Sequence, residues 1–247
     1  GSNVVMGTDS ATTINATANG TGVTITHSLI AIIMDTNAPS SSVGFAEMDG
    51  YVFSASTAAI YNTQVNSLHT WPAGNFIQPD IETDNIRTIT RLKRYIVSFG
   101  SSSIEFFHNA GNPSGSILSR SAEMALGFGV INDGAVAQAG DILCFVGGEA
   151  GQITGTNYGV YMFEGYTPKK ISTSTIDKII SSTTFPTLDI FSAFGKTFLH
   201  VAAGSTSTYK YSLLYCIESQ EWVESGFPFY MRLASLVGLL SGVAVND

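Results

Sequence analysis

Hydrophobic residues along this chain fall in short runs that polar, glycine-containing segments separate. The runs are rich in β-branched and aromatic residues, and their length is typical of β-strands rather than helices. Five of the runs end at a glycine, and the successive gaps between these glycines are 50, 47, 48 and 47 residues: Gly50, Gly100, Gly147, Gly195 and Gly242. A repeat of this size, built from strand-like runs, indicates the blades of a β-propeller.

The runs that lead into the five glycines occupy residues 43–49, 94–99, 142–146, 190–194 and 236–241. After the first four glycines a second strand-like run follows, at residues 51–53, 104–107, 159–163 and 198–201. We therefore expect each glycine to lie in the turn between the first and second strands of a blade. Five such sheets are expected to surround a central axis.

The pattern thus predicts an all-β fold, a β-propeller of about five blades that spans residues 21–247. Residues 1–20, rich in Thr, Asn, Ala and Gly, are predicted to form a flexible N-terminal segment. Residues 29–34 resemble the third strand of the blade that begins at residue 190. Pairing them with residues 243–245 would close the ring and remove exposed strand edges. The alternative is that the chain is a fragment of a larger propeller.

Two stretches interrupt the strand pattern and predict minor short helices, at residues 119–126 and 173–181. The second has the spacing of a capping box, with Ser174 as the N-cap and Asp177 three residues later. Both stretches are too short to form separate domains.

The chain contains few charged residues for a soluble domain. Charged residues make up 12% of the chain, about half the usual ~25%. The net charge is −8, and residues 1–86 contain seven acidic residues but no Lys or Arg. An acidic chain does not accumulate on phosphate backbones, although it could line a channel through which DNA passes without adhering.

The two cysteines, Cys144 and Cys216, lie within apolar runs. We expect two buried free thiols, since a disulfide would require strands of different blades to meet face to face.

Motifs that would indicate catalysis are missing from the sequence. It contains no phosphate-binding loop, no nucleophile elbow and no paired-cysteine zinc spacing. The four histidines lie far apart in the chain: His27, His69, His108 and His200. We therefore predict no catalytic residue, no cofactor and no metal ligand, and a protein that is not an enzyme.

The most distinctive local feature of the sequence is an acidic segment at residues 80–84. Asp80, Glu82 and Asp84 alternate along the chain, so that on an extended backbone their carboxylates share one side. Such an edge could hold a calcium ion. The alternatives are an acidic loop solvated by water and an electrostatic contact with the basic residues 87–94 or with arginines of a neighbouring subunit.

A basic segment follows at once, with Arg87, Arg91, Lys93 and Arg94. These side chains could contact DNA or an acidic partner. Alternatively they protect a strand edge from unwanted pairing. We take the acidic and basic segments together as a possible subunit or partner contact, in which the two surfaces either face each other across a subunit boundary or divide the channel face from the outer face.

Several short motifs follow one another over residues 45–181: MDGYVF at 48–53, QPD at 78–80, FGSSSIEFFHNAG at 99–111, ILCFVGG at 142–148 and TPKKIST at 167–173. Each is weak alone, but their order and spacing resemble the packaged-DNA stabilisation proteins of short-tailed bacteriophages, also described as tail accessory or nozzle proteins.

The resemblance implies a structural virion protein of the phage tail or neck, assembled in the host cytoplasm. Such proteins form homo-oligomeric rings, usually hexamers, that extend and seal the DNA channel below the portal. They contact portal or adaptor proteins and a tail fibre, spike or needle. DNA passes without sequence-specific binding, and no membrane and no catalysis are involved. This chain is shorter than members of that family.

Two other functions remain open from the residues. A carbohydrate- or host-receptor-binding propeller would use aromatic side chains at loop ends, such as Trp71, Tyr158, Tyr166 and Trp222. A glycoside hydrolase propeller would need two carboxylates from different blades that face one cleft, for which Glu105 and Glu149 are a candidate pair.

Overall fold

The computed structural model describes residues 11–18, 21–28, 35–79, 84–150, 158–204 and 209–224. The first two of these segments form a hairpin of two strands, β1 (Ala11–Ala18) and β2 (Thr21–Ser28). This hairpin crosses the domain boundary that the sequence predicted at residue 20. The boundary itself stays a prediction.

Four antiparallel sheets follow the hairpin. Sheet 1 contains β3 (Gly44–Met48), β4 (Tyr51–Ala55), β5 (Ile60–Asn62) and β6 (Phe76–Ile77). Sheet 2 contains β7 (Ile86–Leu92), β8 (Tyr95–Gly100), β9 (Ile104–Asn109) and β10 (Leu118–Arg120). Sheet 3 contains β11 (Phe128–Val130), β12 (Val136–Ala139), β13 (Ile142–Glu149), β14 (Gly159–Glu164) and β15 (Thr167–Lys170). Sheet 4 contains β16 (Thr187–Ala193), β17 (Lys196–Gly204), β18 (Tyr209–Cys216) and β19 (Glu221–Glu224).

Each sheet pairs strands that are close neighbours in sequence, as a propeller blade does. Strands of successive sheets contact one another in the order β3, β7, β12, β16. The predicted all-β propeller fold is confirmed. The run at residues 236–241 and Gly242, which the sequence assigned to a fifth blade, lie outside the described residues.

Alternating side chains give sheet 2 two buried faces. Ile89, Ile96 and Phe107 point to one face and pack against sheet 1. Val97 and Phe99 point to the other face and pack against sheet 3. Because successive residues of a strand point to opposite faces, one sheet can serve two hydrophobic layers. A third layer joins sheet 3 to sheet 4.

The glycine series is only partly placed as predicted. Gly50 and Gly195 lie in the turns between the first and second strands of sheets 1 and 4, with φ of +78° and +73°. The prediction is wrong for Gly100, which ends the second strand of sheet 2, and for Gly147, which lies within β13. The run that the sequence pattern assigned ahead of Gly100 begins only at residue 94. The first strand of sheet 2 is β7, where threonines and arginines interrupt the hydrophobic pattern.

Two short helices are present among the described residues. The predicted stretch 119–126 contains only a 3-10 helix, Ala122–Met124. Helix α1 spans Ser174–Ser181. Its N-cap is Thr173, whose side chain accepts a hydrogen bond from the Ile176 amide, so the expected Ser174 cap is wrong by one residue. The buried side chains of Ile176 and Ile180 seal the layer between sheets 3 and 4.

The predicted closure of the ring concerns residues 29–34 and 243–245, both of which lie outside the described residues. That pairing stays a prediction. No helix in the described part of the chain has the length and apolarity needed to cross a bilayer.

Candidate functional site

Asp84 is the one member of the acidic segment that the structure describes, since residues 80–83 lie outside the described part. Its Oδ2 accepts hydrogen bonds from the amides of Ser102 and Ser103, at 2.6 and 3.1 Å. The Ser103 hydroxyl donates to Oδ1 at 3.0 Å. Asp84 therefore caps the turn between β8 and β9, and both of its oxygens are engaged in that turn.

Calcium binding by this segment gains no support from this geometry. Within residues 11–18, 21–28, 35–79, 84–150, 158–204 and 209–224, no group of three or more His, Cys, Asp or Glu residues is placed to hold a metal ion. The Asp84 carboxylate already accepts hydrogen bonds from two backbone amides.

We expect Asp84→Ala to lower the free energy of unfolding by about 1–2 kcal/mol, since two amides would lose a charged acceptor. Chemical denaturation measures the loss. Asp141→Ala, at an exposed position in the turn between β12 and β13, is the control. A calcium-dependent rise in Tm that Asp84→Ala abolishes would contradict the purely structural role.

Arg91 connects the basic segment to the part of the chain that contains no Lys or Arg. Its Nη1 lies 3.3 Å from Oε2 of Glu47, and its Nε donates to the Lys93 carbonyl at 2.7 Å. Arg91 lies on β7 of sheet 2 and Glu47 on β3 of sheet 1. At least this one acid–base pair therefore forms between neighbouring sheets of one chain. Both side chains are largely exposed, so the pair contributes little to stability.

The other three bases lie at the surface beside Arg91. The Lys93 ammonium lies 5.4 Å from the ring centroid of Tyr166 on sheet 3. The Arg94 guanidinium lies 5.9 Å from the Tyr95 ring. Arg87 is exposed at an irregularity in the pairing of β7 with β8. Arg87, Arg91, Lys93 and Arg94 thus present an exposed basic surface, which we call the β7 basic surface.

An ion pair that the sequence did not predict lies inside sheet 2. Oε2 of Glu105 on β9 lies 2.7 Å from Nε of Arg120 on β10, with side-chain exposures of 1% and 23%. Arg120 also donates to the Gln78 carbonyl at 3.0 Å and thereby ties sheet 2 to the segment after β6. Burial lowers the pKa of Arg120, since desolvation disfavours the charged form.

The buried position of Glu105 weighs against the hydrolase pair. A carboxylate that is 1% exposed and held by Arg120 is not presented to a cleft. Glu149 is exposed at the end of β13. The two carboxylates therefore sit in different environments, and neither is part of a described cleft.

Three of the aromatic residues considered for ligand binding pack within the protein. Trp71 is 4% exposed. Trp222 donates from its indole to the Ile171 carbonyl at 2.9 Å. Tyr166 packs edge-on against Tyr95, with ring centroids 5.2 Å apart. Their positions favour a packing role over carbohydrate recognition.

The buried histidine and the two cysteines lie in the interior of the fold. His200 is 1% exposed, its Nε2 lies 2.8 Å from the Ser212 hydroxyl, and desolvation lowers its pKa. Cys144 and Cys216 are free and buried, as predicted. Burial raises the pKa of Cys144 to about 12, so this thiol stays protonated and unreactive.

Comparison with known proteins identifies one family. A family model described as Phage_stabilise, Bacteriophage P22 Gp10, β-propeller, matches residues 3–192. No curated protein gives a significant match. A solved structure of S. cerevisiae dbp5 l327v bound to nup159, gle1 h337r, ip6 and adp aligns with a TM-score of 0.41 and 7% identity. That alignment covers 73% of this chain and 46% of the other, so this chain spans less than half of the matched one.

Proposed function

Because this chain belongs to the Phage_stabilise family of bacteriophage β-propeller proteins, we propose that it is a ring-forming subunit of the phage tail or neck. In this role it extends and seals the DNA channel below the portal. Its membership identifies a structural phage protein, and the match over residues 3–192 is the observation that carries the proposal.

Charge supports the channel role. A channel wall must let DNA slide, and a wall that neutralised phosphates would hold it through counterion release. The chain has a net charge of −8, and residues 1–86 contain no Lys or Arg. Some of its acids are engaged locally, as the Glu47–Arg91 pair illustrates. The remaining excess of negative charge favours repulsion of phosphate.

We further propose that the protein is not an enzyme and acts through its partners. These are other copies of the chain in a ring, expected to be a hexamer, the portal or adaptor protein, and a tail fibre, spike or needle. Assembly would take place in the host cytoplasm without a membrane. The engaged carboxylates of Asp84 and Glu105 support a structural rather than a catalytic use of these acids.

Reversal of charge on the β7 basic surface tests the subunit contact. We expect Arg91→Glu, Lys93→Glu and Arg94→Glu together to impair ring assembly or docking to the tail, because the surface would then repel an acidic neighbour. The measurements are analytical ultracentrifugation and incorporation into tails. The control Lys169→Glu with Lys178→Glu reverses two exposed bases elsewhere. Unaltered assembly by the triple variant would remove the proposed contact.

Binding of free DNA tests the channel role directly. In a mobility-shift assay at about 150 mM salt, where the Debye length is ~8 Å, the wild-type chain should bind duplex DNA only weakly. Tight binding that resists added salt would contradict the proposed function, because a conduit of that kind would retain the DNA.

A further inference from the structure

The hairpin of β1 and β2 is the one described sheet that has only two strands. Its strands pair over eight residues each, from Ala11 opposite Ser28 to Ala18 opposite Thr21. A sheet of two strands is marginally stable in water, and three or more strands are needed for independent stability. Within the described part of the chain, no other strand pairs with β1 or β2. The hairpin therefore presents two free edges there.

The other edge strands of the described sheets are protected against unwanted pairing. The edge strands β6, β10, β11 and β12 are only two to four residues long. The edge strands β3, β7, β16 and β19 each contain at least one charged residue. The edge strand β15 contains Pro168 and two lysines. Short length, charge and proline are the features by which natural sheets keep an edge from pairing.

The two strands of the hairpin have none of this protection. Both are eight residues long, and neither contains Pro, Lys, Arg, Asp or Glu. Their pairing is continuous, without a bulge that would turn an edge away. In a chain with a net charge of −8, residues 10–34 contain no Asp, Glu, Lys or Arg. Two copies can therefore meet along this segment without repulsion between like charges.

We propose that β2 of one copy pairs with β1 of a second copy, so that the hairpins of neighbouring copies form one antiparallel sheet. A second copy fits both edges, because it supplies an uncharged strand of the same eight-residue length to each of them. The full-length ladder leaves no part of either edge unpaired, and main-chain hydrogen bonds supply the affinity of such strand addition. The inference rests on the proposed function in that it names the segment that joins neighbouring subunits of the ring.

The symmetry of a ring suits this pairing. Rotation about an axis that runs along the strands leaves the direction of every strand unchanged, so β2 of one copy and β1 of the next run antiparallel. The two edges are different, and the contact is therefore heterologous. A copy that is paired through its β2 still offers its β1 to another copy. Such contacts form a ring where the rotation closes, and a closed sheet has no free edge.

Lysines on the hairpin test the contact. In Thr13→Lys with Thr24→Lys, the dissociation constant between copies should rise at least about tenfold, because lysine on an edge strand prevents pairing. Sedimentation equilibrium measures the change, and the Tm of the propeller should stay the same. The control, Thr167→Lys with Thr184→Lys, adds equal charge at exposed positions outside the hairpin. Equal association by wild type and hairpin variant, an equal loss in the control, or a wild-type chain that stays monomeric would each overturn the contact.

Cysteine cross-links test which strands meet. Two residues separate Ala18 from Thr21, so these two form a hydrogen-bonded pair, and Ala16 with Val23 is the next such pair. Toward a neighbouring copy, Ala16 and Val23 then take non-hydrogen-bonded positions, where opposite Cα atoms approach to about 4.5 Å. This distance is within reach of a disulfide. The native cysteines are buried and do not compete.

Ala16→Cys is mixed in turn with Thr21→Cys, Val23→Cys and Ile25→Cys under mild oxidation, so that three possible staggers of the two strands are covered. One of the three mixtures should give a covalent pair of different chains. Ala16→Cys alone should give none, because the β1 strands of neighbouring copies lie two strand spacings apart, about 9–10 Å, which is too far for a disulfide. Cross-linking of Ala16→Cys with itself, or no cross-link in any mixture, would overturn the pairing.

The fate of the contact and that of the channel role can be told apart. Rings that depend on the hairpin and bind duplex DNA tightly would leave the contact standing and remove the channel role. Normal incorporation of Thr13→Lys with Thr24→Lys into phage tails would overturn the contact and leave the channel role standing. Fibres of unlimited length in place of rings would overturn the closed sheet.

Discussion

Replacement of Arg120 by methionine is expected to lower the free energy of unfolding by about 3 kcal/mol. The variant leaves the Glu105 carboxylate 1% exposed and without its ion-pair partner. Removal of one member of a buried ion pair costs about 3–5 kcal/mol, since the remaining charge is desolvated and unpaired. Arg120 is 23% exposed, which places the expected loss at the lower end of this range. The variant also loses the hydrogen bond to the Gln78 carbonyl.

Guanidinium denaturation of wild type and variant measures this loss. The control is Lys169→Met, which breaks an equally short pair, Lys169 with Glu164 at 2.6 Å, whose side chains are more than half exposed. That exposed pair should contribute less than about 1 kcal/mol. The double variant Glu105→Leu with Arg120→Met should regain most of the stability, because no charge is then buried. A double variant as unstable as Arg120→Met would show that shape, and not charge, governs the site.

The sequence predicts the strands whose runs are dominated by β-branched and aromatic residues, and it misses short strands such as β5, β6, β10 and β15. It also misses β7, where four of seven residues are threonine or arginine. These polar residues are tolerated because β7 is the edge strand of sheet 2 and the side chains of Arg87 and Arg91 are exposed. Because the pattern misses β7, it takes β8 as the first strand of sheet 2 and places Gly100 in the turn between the first and second strands. Local composition cannot reveal such a strand, since its burial is decided by the sheets that pack on it.

The candidate site is less accessible to sequence reasoning. Alternation placed the carboxylates of the acidic segment on one side, but it could not show that Asp84 caps a turn 18 residues later. The Glu105–Arg120 pair depends on the register of β9 with β10, in which Arg120 lies opposite Phe107.

Gly147→Ala is expected to lower the free energy of unfolding by about 3 kcal/mol, the second of the two largest effects. Gly147 lies in β13, opposite Val130 of β11 and Gly159 of β14. A methyl group at this position would overlap the carbonyl oxygen of Gly129 in the neighbouring strand. Because the obstacle is backbone, no change of rotamer relieves it, and the strands must separate. Forced overpacking of this kind costs about 1–3 kcal/mol or more.

An opposing effect is too small to reverse this result. Alanine restricts the unfolded chain more than glycine does, which favours the variant by about 0.4–1 kcal/mol. The matched control is Gly74→Ala, where nothing lies within 4 Å of the added methyl group. The free energy of unfolding of that control should lie within about 0.5 kcal/mol of the wild-type value. A midpoint for Gly147→Ala equal to that of the control would mean that β11 can leave β13 without loss of stability, and that β11 adds nothing to the stability of the propeller.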